Sequence, residues 1–316
     1  MNKFAMVFPG QGSQKVGMLA EIAAYYPEEV KKIFNQASIV LNYDLLKLVE
    51  HGPAEELNKT WHTQPALLTM SVLIWRIWQK LGGIMPMFMA GHSLGEYSAL
   101  VCAGVLDFTS AVKLVAIRGK LMQKAVPAGI GAMSAIIGID HATIAAACSL
   151  AAQGQIVSLA NFNTPNQVVI TGHKEAVERA SIICKAHGAK MTHRLIVSVP
   201  SHCILMKPAA KQLAKVLNNI NFSIPKVPVV HNVDVCISND PNIIRKALVR
   251  QLYSPVRWTE TIEYLSAQDI NTVLEIGPSK VLTGFTKQIS NRLYCAAVNN
   301  NTSLSMLINK ITRVTQ

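Results

Sequence analysis

The chain has 316 residues, half of them apolar and 15% charged. That profile excludes a disordered polymer and allows one large core, or a core with a smaller inserted unit. The formal net charge is +12; the basic residues are dispersed and aromatics are few, so nucleic acid is the weakest of the acidic partners such a charge could serve, while nucleotide phosphates, an acidic protein and plain compositional drift stay open.

In chain order, residues 3–8 form a short apolar run entering a glycine-rich turn, the pattern of a first strand rather than of a signal peptide. Residues 19–50 carry helical material with Pro27 opening a turn, and 64–81 read as a strongly apolar helix. The most apolar stretch, 67–78, is broken by Arg76 and is too short to span a membrane, so a soluble, cytoplasmic protein is expected. A short buried strand follows at 87–90, then helices at 95–103 and 109–125. This alternation predicts an α/β fold around a parallel sheet.

At 127–131 the run Pro-Ala-Gly-Ile-Gly breaks the pattern. Strand 133–138, helix 141–152, strands 156–162 and 167–171, helix 175–187 and strand 190–197 then run β-α-β-β-α-β, the order of a ferredoxin-like unit. Residues 163–166 suit its hairpin turn. The expected organisation is a small domain at 127–197, inserted into a discontinuous larger one of 1–126 and 198–316. Later strands are expected at 227–230 and 272–275, each followed by helical material.

Six scattered cysteines (Cys102, Cys148, Cys184, Cys203, Cys236 and Cys295) form no C-x-x-C pair, and nine histidines show no H-E-x-x-H pattern. Reduced thiols and no bound metal are expected. The sharpest motif is Gly91-His92-Ser93-Leu94-Gly95, a G-x-S-x-G match between a predicted strand and a predicted helix. Glycines at both ends let the backbone turn tightly and hold Ser93 at the tip, and the helix N-terminus supplies N–H donors for an oxyanion.

A nucleophilic serine needs a base. His202, in the turn Pro200-Ser201-His202, is the candidate; the rival His92 should point its side chain away from the pocket. The aspartates between Ser93 and His202 are Asp107, which reads as a helix start, and Asp140, which falls in the inserted unit. A serine–histidine dyad oriented by a main-chain carbonyl is therefore more economical than a triad. Arg118 lies in a helix apolar on most faces, where a guanidinium must be paired. Either it clamps a substrate carboxylate or it makes a structural salt bridge. The turn from Pro9 to Gln14 matches no nucleotide-loop pattern. It either brings main chain and the Gln11 amide close to a small ligand or is a plain strand–helix turn.

At these residues the sequence resembles the malonyl-CoA:acyl carrier protein transacylases. The resemblance runs along nearly the whole chain: Phe8-Pro-Gly-Gln-Gly-Ser-Gln14, Thr63-Gln-Pro-Ala66, Gly91-His-Ser-Leu-Gly-Glu-Tyr-Ser-Ala-Leu100, Arg118-Gly119 with Met122, Gly131-Ala-Met133, Asn161-Phe-Asn163, Pro200-Ser-His202, Gln251-Leu-Tyr-Ser-Pro-Val-Arg-Trp258 and Glu275-Ile-Gly-Pro278. It implies a hydrolase-like parallel-sheet core with a ferredoxin-like insertion. It makes Ser93 the nucleophile, His202 the general base, and the main-chain N–H groups of Gln11 and Leu94 the oxyanion hole. It gives Arg118 the malonyl carboxylate, and Gln251 the carbonyl that orients the histidine. It also implies malonyl-CoA as donor, the phosphopantetheine thiol of acyl carrier protein as acceptor, no cofactor and a monomer. A serine hydrolase on a similar core leaves Arg118 without a role, and a non-catalytic docking module needs none of Ser93, His202 and Arg118 intact. Preference for malonyl over methylmalonyl stays open.

Overall fold

A computed structural model describes residues 3–313 apart from Ile196 and Ser198. Its strands are β1 (Phe4–Phe8), β2 (Phe88–Gly91), β3 (Gly131–Ile137), β4 (Val157–Thr164), β5 (Gln167–His173), β6 (Met191–Arg194), β7 (Val229–Val230), β8 (Thr272–Ile276) and β9 (Tyr294–Val298). They form two sheets. The larger has the order β7-β2-β1-β8-β9 with every pair parallel. All five residues of the central strand β1, Phe-Ala-Met-Val-Phe, are buried. Parallel strands covered by helices on both faces require such a continuous apolar run.

The helix Thr60–Lys80 packs on the helix Phe108–Ala125 on one side of this sheet. It starts four residues before the predicted 64, so Pro65 lies inside it rather than near its start. Pro27 opens not a turn but the helix Pro27–Leu41, as its first residue, where its fixed φ suits a helix and its missing N–H costs nothing. The sequence reading missed β9 and the helix Asn301–Arg313.

The smaller sheet is antiparallel, in the order β4-β5-β3-β6. With the helices His141–Ala152 and Lys174–Ala186 it gives the predicted β-α-β-β-α-β succession. The hairpin from Thr164 to Gln167 turns over Pro165 and Asn166. The alternation of β3 sorts its side chains: Ala132 and Ile136 join Val168, Ile144 and Val177 in one apolar cluster, while Met133 and Ala135 join Ala160 and Val169 in another. The strand predicted over 190–197 extends only from Met191 to Arg194, and Ile196 lies outside the described residues. The smaller sheet is tied to the segment just before the helix Trp258–Ala267, where Val256 N donates to the Ala160 carbonyl at 2.8 Å and Phe162 N donates to the Val256 carbonyl at 2.9 Å.

Candidate active site

Strand β2 ends at Gly91 and the helix Leu94–Cys102 begins three residues later, leaving Ser93 on the bend with φ 52° and ψ −107°. A non-glycine residue held there costs about 1–3 kcal/mol, so its surroundings must enforce it. They do so through both backbone groups: Ser93 N–H donates to Asn232 Oδ1 at 2.8 Å, and the Ser93 carbonyl accepts from Gln251 Nε2 at 3.0 Å. The flanking glycines are steric requirements. A Cβ on Gly91 would lie 1.9 Å from the Gly95 carbonyl carbon, and one on Gly95 would lie 1.9 Å from the Phe8 carbonyl oxygen.

The structure brings His202 to Ser93 across 109 positions of sequence; the Ser93 hydroxyl donates to His202 Nε2 at 2.8 Å. On the far side of the ring His202 Nδ1–H donates to the main-chain carbonyl of Gln251, also at 2.8 Å. A carbonyl only accepts, so it fixes the tautomer and leaves the Nε2 lone pair facing the serine. Burial, then the nearby Arg118 charge, push the His202 pKa down to about 3. The imidazole is thus neutral, the form a base requires. His92 also lines the cavity, but its Nε2 meets Asn163 Oδ1 at 2.9 Å and not Ser93. Asp107 and Asp140 cap helices, accepting from Ser110 N and Thr143 N.

Arg118 is 1% exposed. Its Nη1 donates to Gln64 Oε1 at 2.9 Å, and its Nη2 donates to Gln251 Oε1 at 3.0 Å and lies 3.4 Å from Ser93 Oγ. The guanidinium also sits over the Tyr97 ring, 5.2 Å from its centroid. Among the described residues no carboxylate lies within 4.0 Å of it, so the salt-bridge alternative drops away. Burial lowers the pKa of Arg118, though an arginine stays charged in proteins. Two amide oxygens hold it, and its positive charge is left over.

Gln11, Leu94, Arg118 and His202 all line one narrow cavity of about 70 Å³, closed by apolar side chains such as Met122, Met133 and Val199. Leu94 is the first residue of its helix, where N–H groups have no partner within the helix. The Gln11 side chain reaches Thr60, its Nε2 donating to Oγ1 at 3.2 Å.

Sequence reasoning missed a buried polar group behind the serine. Glu96 and His231 are each 1% exposed, and Asn232 is fully buried. Glu96 accepts from His231 Nδ1 at 2.8 Å, from Gln251 Nε2 at 2.7 Å and from Asn232 N at 3.2 Å. A lone acid in the otherwise apolar helix Leu94–Cys102, and a His-Asn pair just after the apolar β7, were the available signals. Among the described residues no three His, Cys, Asp or Glu side chains gather to hold a metal ion, and no helix is long and apolar enough to cross a membrane. All six cysteines are unpaired, five of them buried.

Residues 5–310 match the model of a family described as the acyl transferase domain. The chain is 63% identical over 305 residues to the malonyl CoA-acyl carrier protein transacylase of Salmonella typhimurium, covering 96% of this chain and 98% of that protein. It is 44% identical to the protein of the same name from Bacillus subtilis, covering 98% and 97%. Among solved structures it resembles an acyl carrier protein S-malonyltransferase from Vibrio cholerae, with TM-score 0.94, 60% identity, and 96% and 99% of the two chains covered. A malonyl-transacylase solved in complex with a type II PKS acyl-carrier protein gives TM-score 0.96 at 62% identity, covering 98% and 99%.

Proposed function

Since the chain belongs to the acyl transferase family, and within it to the malonyl CoA-acyl carrier protein transacylases, we propose that it carries malonyl from malonyl-CoA to the phosphopantetheine thiol of acyl carrier protein through a malonyl ester on Ser93. One observation carries the reading: the Ser93–His202 pair opens on a cavity that also presents a buried cation lacking a carboxylate partner.

In the first half-reaction His202 Nε2 takes the Ser93 proton as Oγ attacks the thioester carbonyl. The main-chain N–H groups of Gln11 and Leu94 hold the resulting oxyanion. The C–S bond breaks, and His202 returns the proton to the departing CoA sulfur. In the second half the carrier thiol gives its proton to His202 and its sulfur attacks the ester. The C–O bond breaks, and Ser93 recovers the proton. Arg118 pairs with the malonyl carboxylate throughout, which selects a charged acyl group and keeps it in place. The cycle closes without a cofactor. The Gln251 carbonyl holds the imidazole through both halves.

The same reading makes the chain a cytoplasmic monomer of two units, 127–197 inserted into 1–126 and 198–316; the separate apolar cluster around Ile136, Ile144 and Val177 supports that division. Its +12 charge complements CoA phosphates and an acidic carrier protein. Intact mass after incubation with malonyl-CoA tests the proposal, wild type beside Ser93→Ala. The expected result is a malonyl adduct on the wild type alone, discharged onto added holo carrier protein. Free malonate with no malonylated carrier would instead identify a hydrolase.

A further inference from the structure

Resting on that reading of Arg118, we infer that Glu96 is a positioning residue for malonyl selection: its carboxylate sets the direction of the Gln251 amide, and the amide aims the Arg118 guanidinium into the cavity. The three groups form a chain without touching the reacting bond. Gln251 is fully buried, and its side chain has two chemically different ends. Nε2 faces the Glu96 carboxylate at 2.7 Å and the Ser93 carbonyl at 3.0 Å, both acceptors only. Oε1 faces Arg118 Nη2 at 3.0 Å, a donor only. Only one orientation of the amide satisfies all three neighbours.

Glu96 enforces that orientation because it is itself anchored. His231 Nδ1 and the Asn232 main-chain N–H converge on its two oxygens at 2.8 and 3.2 Å. Asn232 in turn ties this group to the serine bend, accepting from Ser93 N–H and donating to the Gly91 carbonyl at 2.6 Å. The negative charge that balances Arg118 therefore lies one amide away rather than in contact. A direct carboxylate contact would occupy the guanidinium; an intervening amide holds it while leaving its charge to the substrate.

The isosteric change Glu96→Gln leaves one carbonyl oxygen for three donors. Gln251 Nε2 then loses its Glu96 acceptor and keeps the Ser93 carbonyl, or the amide flips and turns NH₂ toward Arg118, where donor meets donor. Transfer to holo acyl carrier protein is measured with malonyl-CoA and acetyl-CoA for wild type, Glu96→Gln, Gln251→Met and Arg118→Met. Gln251→Met removes both amide ends but keeps the main-chain carbonyl that holds His202, so it serves if the Glu96 variant does not fold. Loss of one charge-assisted hydrogen bond in a buried site predicts a fall in the malonyl-over-acetyl preference of about tenfold or more in Glu96→Gln and in Gln251→Met. The fall is expected in KM for malonyl-CoA; loss of the Gln251 brace on the Ser93 carbonyl slows both acyl groups alike and so cancels in the malonyl-over-acetyl ratio. If both variants slow malonyl and acetyl transfer by one common factor, the residues only support the fold and the inference is overturned. If Arg118→Met keeps the wild-type preference, the carboxylate reading of Arg118 fails and takes the inference with it. If Arg118→Met loses the preference and the other two keep it, the inference alone fails.

Discussion

Replacing Arg118 by methionine removes the cation while filling most of its volume, and the structure sets the size of the effect. Arg118 Nη2 stands 3.4 Å from Ser93 Oγ, so an acyl group esterified to the serine lies beside the guanidinium from its first carbon. The carboxylate of a three-carbon diacid carried on the serine can reach that nitrogen. An acetyl group leaves the buried charge without a partner, which costs about 3–5 kcal/mol, or roughly a hundred- to a few-thousand-fold in rate. The wild type should show a preference of that order in kcat/KM for malonyl-CoA over acetyl-CoA, with holo carrier protein as acceptor. Arg118→Met should lose most of it while retaining slow transfer of both, because Ser93, His202 and the main-chain donors remain. A wild type that transfers acetyl and malonyl equally would refute the reasoning outright, as would a methionine variant that still discriminates.

Further outcomes are expected. Since His202 is held down to about 3, the rate of serine acylation should stay flat as pH falls from 7 toward 5; an acid limb near the ordinary histidine value of about 6.5 would contradict this. Because the unfolded chain takes up that proton first, stability should fall as pH drops from about 6.5 toward 3, which urea titrations at several pH values can measure. Gly95→Ala drives a Cβ to 1.9 Å from the Phe8 carbonyl oxygen and should cost at least ~3 kcal/mol or prevent folding. Gly284→Ala, in a helix with open space around it, should instead gain up to about 1 kcal/mol in the same melts. Asp107→Asn and Asp140→Asn should leave transfer rates unchanged, since both side chains cap helices; a hundredfold loss in either would revive a catalytic triad.

The parts of this molecule legible in its sequence are those with local causes. Ser93 stands out because a strand, two glycines and a helix start must adjoin to make its bend, and all lie within a few residues. The β-α-β-β-α-β unit was likewise readable from alternating patterns and one hairpin turn. Strand β9 was not, because Tyr-Cys-Ala-Ala-Val is short, sits at the sheet edge and pairs only with β8. The helix after it carried a signal that went unread: Asn300 Oδ1 accepts from Ser303 N at 2.8 Å, a cap visible as Asn followed three residues later by Ser. Across the site, Ser93 meets residues 109 and 158 positions away, and no spacing rule reaches that far. His202 and Arg118 were candidates from the residues alone, with the choice between their alternatives coming from the family resemblance, which also named Gln251; Glu96, His231 and Asn232 became visible only as buried polar groups needing partners.

On the proposed reading, a main-chain carbonyl suits the task of orienting the histidine beside a buried cation. Gln251 supplies its carbonyl to His202 and its side-chain oxygen to Arg118, so the two functions occupy one residue. A carboxylate in that role, as in a hydrolase triad, would add a negative charge to a site that already holds the Arg118 cation, and a guanidinium whose charge is met has less reason to prefer a charged acyl group. It would also raise the histidine pKa by stabilising the imidazolium. With a neutral orienter both consequences are avoided: burial and Arg118 keep His202 unprotonated, and the Arg118 charge is left for the acyl carboxylate that the proposal assigns to it. On the proposed reading, a bound malonyl carboxylate offsets the Arg118 charge, which together with burial keeps the His202 pKa low. On that reading acylation raises the basicity of His202 just before it accepts a proton from the incoming thiol. On this account Arg118→Met, which removes the same charge permanently, should move the acid limb of serine acylation to higher pH than in the wild type.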